Sequence, residues 1–213
     1  MEAFEAIGAR IEAVETDMGP AYISAVQSNI PEATLVFDHF HIIRLFNEKL
    51  TRLRHDLQRE VEDRLGKPVL KGIRWLLLKN PDNLDDARNE RQRLEQALKL
   101  NGPLATTYYM KEELRNIWHQ PDKTSAQNAL DEWVKKAAAS DINILKQFSK
   151  TMAAHRSGIL ACFDFNGLST GLLKGINNKI KTLHKMAYGF RDVEFFKLKI
   201  IALHETNYVL VGG

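Results

Sequence analysis

The chain has 213 residues, 44% of them hydrophobic, enough to bury one large domain or one domain carrying an insertion. No run of eighteen apolar residues and no basic-then-apolar leader occurs, so neither a membrane span nor a secretory signal is expected. The formal net charge of +3 is too small to argue for a polyanion partner, but it is unevenly spread: residues 1–40 hold seven acids against Arg10, and residues 167–213 hold seven bases against three acids. The single Cys162, in the apolar context GILACFDF, excludes an intramolecular disulfide, reads as a structural thiol and fits a cytoplasmic location.

In chain order, RIEAVETD (10–17) and ATLVFDH (33–39) read as strands, the second carrying the apolar run Leu35, Val36 and Phe37. Between them, Pro20 opens a helix with apolar positions at Tyr22, Ala25, Val26 and Ile30. A βαβ unit of this length predicts a parallel pair, whose strands end on the same edge. Each strand ends in an aspartate, Asp17 and Asp38.

From residue 42 the period becomes helical. Ile42, Phe46, Leu50, Leu53, Leu57, Val61 and Leu65 mark one stripe, among Arg44, Lys49, Arg52, Arg54, Arg59 and Arg64, and the helix stops near GKP. Further helices are predicted over 83–100, 104–118, 125–139 with Thr124 or Ser125 as cap, and 141–156, then over 169–187 and 192–206. The fold class is therefore mostly α with a small α/β part at the front. Because two strands do not make a stable open sheet alone, further strands are expected, either from outside this span or from ALHETNYVLVGG and the N-terminal residues.

Three groups of residues offer chemistry. Carboxylates ending adjacent strands about 4.8 Å apart bring Asp17 and Asp38 within reach of one hard cation, and they equally serve as caps of the turns that follow. Within DHFH, Asp38 and His41 stand three apart at a strand-to-helix junction, where a carboxylate orients or pairs with an imidazole; strand alternation would turn His39 away from Asp38. On the tail helix, Lys174, Asn178, Lys181 and Lys185 share one side, with Ile176, Ile180, Leu183 and Ala187 opposite. Such a row is either a solvated helix face or a phosphate-binding face. Residues 174–191 hold four lysines and Arg191 without any acid, which favours phosphate.

Four stretches, VETDMGPAYISAV, ATLVFDHFHIIRLFNEKLTRLRHDL, KGIRWLLLKNPDNL and GLLKGINNKIKTLHKMAYGFRD, resemble in order and spacing the bacterial insertion-sequence DDE transposases of the ISL-three group. The resemblance implies a partial RNase H-like core, with residues 1–41 and the C-terminal helices of 166–213 flanking a large all-helical insertion at 42–165. It implies Mg²⁺ or Mn²⁺ held by three acids, the terminal repeats of an insertion element as DNA partner, and Asp17 as the second metal-binding acid. Asp38 and His41 match the family's D-x-x-H signature, a support beside the site. Lys174 stands where the family carries its third acid, and Glu194 and Glu205 lie too far along to replace it. The first acid belongs before residue 1, together with zinc-finger-like and helix-turn-helix parts. Asn178, Lys179, Lys181, Lys185 and Arg191 are the expected DNA contacts. The expectation is a truncated, catalytically impaired transposase fragment, or else a non-catalytic DNA-binding fragment that forms homo-oligomers or pairs with an intact transposase and modulates it.

Overall fold

The computed structural model describes residues 10–65, 70, 72–165, 180–187 and 192–205. The chain divides into two compact units, 1–168 and 169–213. In the first, β1 (Ala13–Thr16) pairs in parallel with β2 (Thr34–Phe37), in a register running from Ala13 opposite Thr34 to Thr16 opposite Phe37. The crossover is α1 (Pro20–Asn29), opened by Gly19 and by a proline whose missing N–H costs nothing in the first turn. None of the residues of α1 is fully buried.

A long helix, α2 (His39–Leu65), begins immediately after Asp38, whose main-chain carbonyl accepts from His41 and Ile42. His39 thus belongs to the helix and not to the strand, so strand alternation does not place it: its ring packs on Phe40 and Trp118. Along the predicted stripe Ile42, Phe46 and Leu50 are buried, while Leu53 and Leu57 are half-buried. Arg54, one of the cations along this helix, is buried with them, since its guanidinium donates to Gln58 Oε1 (2.6 Å) and weakly to the Leu70 carbonyl (3.5 Å).

A five-residue helix, α3 (Arg74–Leu78), follows and buries Leu76 and Leu77. The helix expected from residue 83 begins later, as α4 (Glu90–Leu100). Before it, residues 81–83 and 86–88 form 3-10 turns, because Asp85 Oδ1 accepts from Ala87 N and Asn89 adopts a left-handed φ of 53° that breaks any continuous helix. Then come α5 (Gly102–Asn116), α6 (Lys123–Ala139), α7 (Asn143–Ala154) and α8 (Arg156–Leu160), ending in a 3-10 turn at 161–165. The cap of α6 is Asp122 rather than Thr124 or Ser125: its carboxylate accepts from the main chain and hydroxyl of Ser125 at 2.8 and 3.0 Å. The helix predicted over 141–156 breaks at His155, which lies outside helical geometry between α7 and α8.

Two apolar clusters hold this unit together. The first joins Phe37, Ile42 and Phe46 to Leu114, Trp133, Phe148 and Met152. Phe46, Trp133 and Phe148 meet edge to face with centroids 5.1 to 5.9 Å apart, and the Trp133 indole donates to the Met110 carbonyl at 2.7 Å. The second gathers Leu50, Leu70, Leu76, Leu77, Leu94 and Leu104. Inside it Lys111 is fully buried, its ammonium donating to the carbonyls of Leu77 and Lys79 and pairing with Glu112. The lysine thereby satisfies carbonyls at the open end of α3 that have no helical partner. The strand pair sits on the first cluster through α8, where Gly158 lies so close to β2 that a Cβ there would stand 2.6 Å from the Phe37 ring.

In the second unit, residues 180–186 are helical and α9 (Val193–Glu205) is capped by Asp192, whose Oδ1 accepts from Glu194 N and Phe195 N.

Candidate active site

The register of the strand pair decides the placement of the two aspartates. Thr16 and Phe37 are the last paired residues, so Asp17 and Asp38 occupy equivalent positions one step beyond them, at the carboxyl edge of the sheet. The Asp38 N–H still donates to the Thr16 carbonyl at 3.0 Å, which ties the second aspartate to the end of the first strand. Parallel strands linked by α1 bring both carboxylates to one edge, the place where open α/β sheets bind ligands.

Each carboxylate also turns its own chain. Asp17 Oδ1 accepts from Gly19 N at 2.8 Å and steers the chain into α1; Asp38 Oδ1 accepts from Phe40 N at 2.9 Å and caps α2. A side chain at position 19 would meet Asp17 Oδ1 at 2.7 Å, so glycine keeps this turn open. Asp38 is nearly fully buried. Its Oδ2 lies 3.7 Å from Nε2 of His41, a ring with 40% of its side chain exposed. That separation exceeds a hydrogen bond and makes an ion pair when the imidazole is protonated. Asp17 and Asp38 therefore follow equivalent strand positions at one edge, His41 lies beside Asp38, and His39 turns instead to Trp118.

The donors are oxygens of the type a hard divalent cation takes, but such an ion needs about six. Among the described residues no group of three or more His, Cys, Asp or Glu side chains comes together. The pair fits such an ion in chemistry and falls short in number.

Of the residues expected on the tail helix, Lys174, Asn178, Lys179 and Arg191 lie outside the described residues. Lys181 and Lys185 are exposed on the 180–186 helix, whereas Ile180 and Leu183 are half-buried, as their opposite sides require. Ala187, expected on the packed side, is exposed because the helix has ended in a turn there. His184 packs edge to face on Phe196 of α9, with centroids 5.5 Å apart.

Cys162 is half-buried and its thiol donates to the Ile159 carbonyl; burial, first, raises its pKa to about 11, so it is no nucleophile at neutral pH. Arg44 and Arg52 of α2, noted in the sequence only as cations along the helix, line an open groove together with Arg74 of α3. The i, i+4, i+8 spacing of Arg44, Glu48 and Arg52 was the signal for it.

A family model described as "Transposase", for the ISL3-type DDE transposases, matches residues 2–200. The chain belongs to the ISL3-type transposases. A transposase for insertion sequence element IS1001 from Bordetella parapertussis is 38% identical over 200 residues, which cover 93% of this chain and 48% of that protein. A transposase for insertion sequence element IS1557 from Mycobacterium tuberculosis is 28% identical over 215 residues, covering 89% of this chain and 48% of its own length. The chain thus spans about half the length of the curated relatives it matches. No solved structure matches it. This ISL3-type transposase is mostly helical with a small parallel strand pair, and among its described residues no helix is long and apolar enough to cross a membrane.

Proposed function

We propose that this chain is a DDE-type transposase segment, acting in or derived from the movement of an insertion sequence in the bacterial cytoplasm, and that it is catalytically impaired. One observation carries the reading: Asp17 and Asp38 stand at the same register position on one strand edge, with His41 beside Asp38. In this reading residues 1–41 and 166–213 are parts of an RNase H-like core and 42–165 an all-helical insertion. Asp17 is a ligand of Mg²⁺ or Mn²⁺ whose other ligands lie outside the described residues. Asp38 and His41 orient the groups around it. Lys174 replaces an acid with an ammonium, which ligates no cation and adds positive charge where neutralisation is needed. Asn178, Lys179, Lys181, Lys185 and Arg191 bind phosphates of the element's terminal repeats, a role supported by the exposure of Lys181 and Lys185. The test is metal-dependent nicking of terminal-repeat DNA. No cleavage is expected above background, and turnover abolished by Asp17→Ala would overturn the impairment.

A second reading is a non-catalytic fragment that binds DNA, pairs with itself or with an intact transposase, and modulates it. Exposed Met186, Phe195 and Leu198 in the second unit support it, since apolar groups of this size on a basic surface suit a protein partner. Mixing the chain with an intact homologous transposase and assaying strand transfer separates the two readings. Dose-dependent inhibition supports modulation, and unchanged transfer removes it.

A further inference from the structure

The arginine groove of the helical block has no role in the site at the strand edge. At 100° per residue, His41, Arg44, Glu48, Arg52 and His55 of α2 fall within about 80° of one another. Beside them lies α3, and between the two helices runs an open groove of about 440 Å³ whose lining includes Arg44, Asn47, Glu48, Thr51, Arg52 and Arg74. Its one lining acid, Glu48, is engaged by Arg44 at 3.4 Å. Arg52 and Arg74 are exposed and have no acidic partner among the described residues. Positive charge is crowded further by Arg54 below: burial first, and then the charge of Arg74, holds its guanidinium under the ordinary arginine value. A surface on which three arginines face one acid is held against their repulsion and is relieved by an anion.

Two features narrow the anion. The face from His41 to His55 runs about 21 Å along the helix, the axial length of roughly six nucleotides of one strand, far more than a single small anion needs. Next to the lining residue Arg74, Trp75 is 65% exposed, with the Arg74 guanidinium 4.9 Å from its ring centroid. An exposed indole next to guanidinium groups is a platform on which an unpaired base stacks.

We infer that the groove between α2 and α3 is a DNA contact separate from the lysines of the 180–186 helix: Arg44, Arg52 and Arg74 take phosphates of one strand, and Trp75 stacks on an unpaired base. The inference rests on the reading of the chain as a DNA-binding transposase segment and assigns that binding a place in the helical block. Because His41 begins the same helix face, the strand so held leads toward Asp38 and Asp17.

The test is a fluorescence-anisotropy titration of the full 213-residue chain with a labelled single-stranded 20-mer and with its duplex, over a range of salt. Arg52→Ala with Arg74→Ala should lower the magnitude of the slope of log K against log salt by about 1.4 for the single strand and about 1.8 for the duplex. Arg52→Lys with Arg74→Lys should retain the slope, which separates lost charge from lost fold. Trp75→Ala should weaken single-strand binding about tenfold with the slope unchanged. Unchanged slope and affinity in the double alanine variant would overturn the groove, as would equal displacement by polyglutamate. Unchanged single-strand affinity in Trp75→Ala would overturn the stacking. Lys181→Ala with Lys185→Ala is run alongside. If those changes alone abolish binding, the groove fails while the DNA-binding reading stands; if the chain binds no DNA at any salt, that reading fails first.

Discussion

The strand pair and the helical block of this transposase segment are buried by different means. The helical block carries two clusters of its own, one around Trp133 and Phe148, the other around Leu77 and Leu104, and seals the second with the buried ammonium of Lys111. The strand pair contributes Phe37 to the first cluster, has a crossover helix with no fully buried residue, and leans on α8 through Gly158. The edge that presents Asp17 and Asp38 is therefore held in place by helices packed under it. Two strands do not bury enough surface to be stable alone.

If so, damage deep in the helices should reach the strands. Trp133→Ala removes the largest fully buried side chain and should cost about 3–5 kcal/mol. Amide exchange at Val36 of β2 should then speed up together with that at Leu114. Acceleration at Leu114 with Val36 unchanged would show that the strand pair stands by itself.

Next in size is Lys111→Ala, which leaves the Leu77 and Lys79 carbonyls without their donor and should cost about 2–4 kcal/mol in urea unfolding. Burial lowers the pKa of Lys111 below 10.5, against the opposing pull of Glu112. Between that lowered value and 10.5 the unfolded chain binds more protons than the folded one, so this lysine makes stability rise with pH in that window. Lys111→Met should abolish its share of the rise. The comparison is best made below about pH 9, where Tyr108, stacked under the ammonium and raised to about 12, keeps most of its proton in the unfolded state as well. An identical pH profile in the variant would mean that the buried lysine does not report on folding.

Gly158→Ala forces a Cβ against the Phe37 ring and, at 3.1 Å, the Leu35 carbonyl, and should cost about 1–3 kcal/mol. Its effect should be concentrated in β2, and full stability would indicate that α8 and the strand are free to separate. The smallest effect is Asp122→Ala, about 1 kcal/mol from the lost cap of α6. Asparagine, which still accepts from Ser125 N, should restore most of it. Asp122 lies in the helical block, so its loss should leave the environment of Asp17 and Asp38 untouched, as read by the chemical shifts of the Gly19 and Phe40 amides that they bind.

Much of this was legible in the residues. The βαβ unit and the parallel pair follow from spacing and from Pro20, and the structure has both, with the strands shortened from 10–17 and 33–39 to Ala13–Thr16 and Thr34–Phe37 and each aspartate one residue past its strand. The ordered motifs carried the family as well. Other features stayed hidden because local pattern cannot express them. Nothing in the local pattern sets Arg54 apart from the other arginines of α2, yet it is buried, bonded to Gln58 and in reach of the Leu70 carbonyl sixteen residues away. Nothing in the sequence around Lys111 marks it as buried, yet its ammonium donates to the Leu77 carbonyl at the end of α3. Where α4 begins, the Glu90 carboxylate accepts from Asp85 N and pairs with Lys79, bonds that hold its pKa below the ordinary carboxylate value and that join residues local pattern does not connect.

The sequence by itself determined the parallel strand pair and most of the helices, which family the chain belongs to, and where along the chain its acids and bases stand, because periodicity, caps and short motifs act over a few residues. Tertiary structure alone decided which charges are buried, which glycine must stay bare, and that Arg74 stands across a groove from Arg52 on another helix. Those depend on contacts between segments distant in the chain, and desolvation and close packing are properties of the assembled fold.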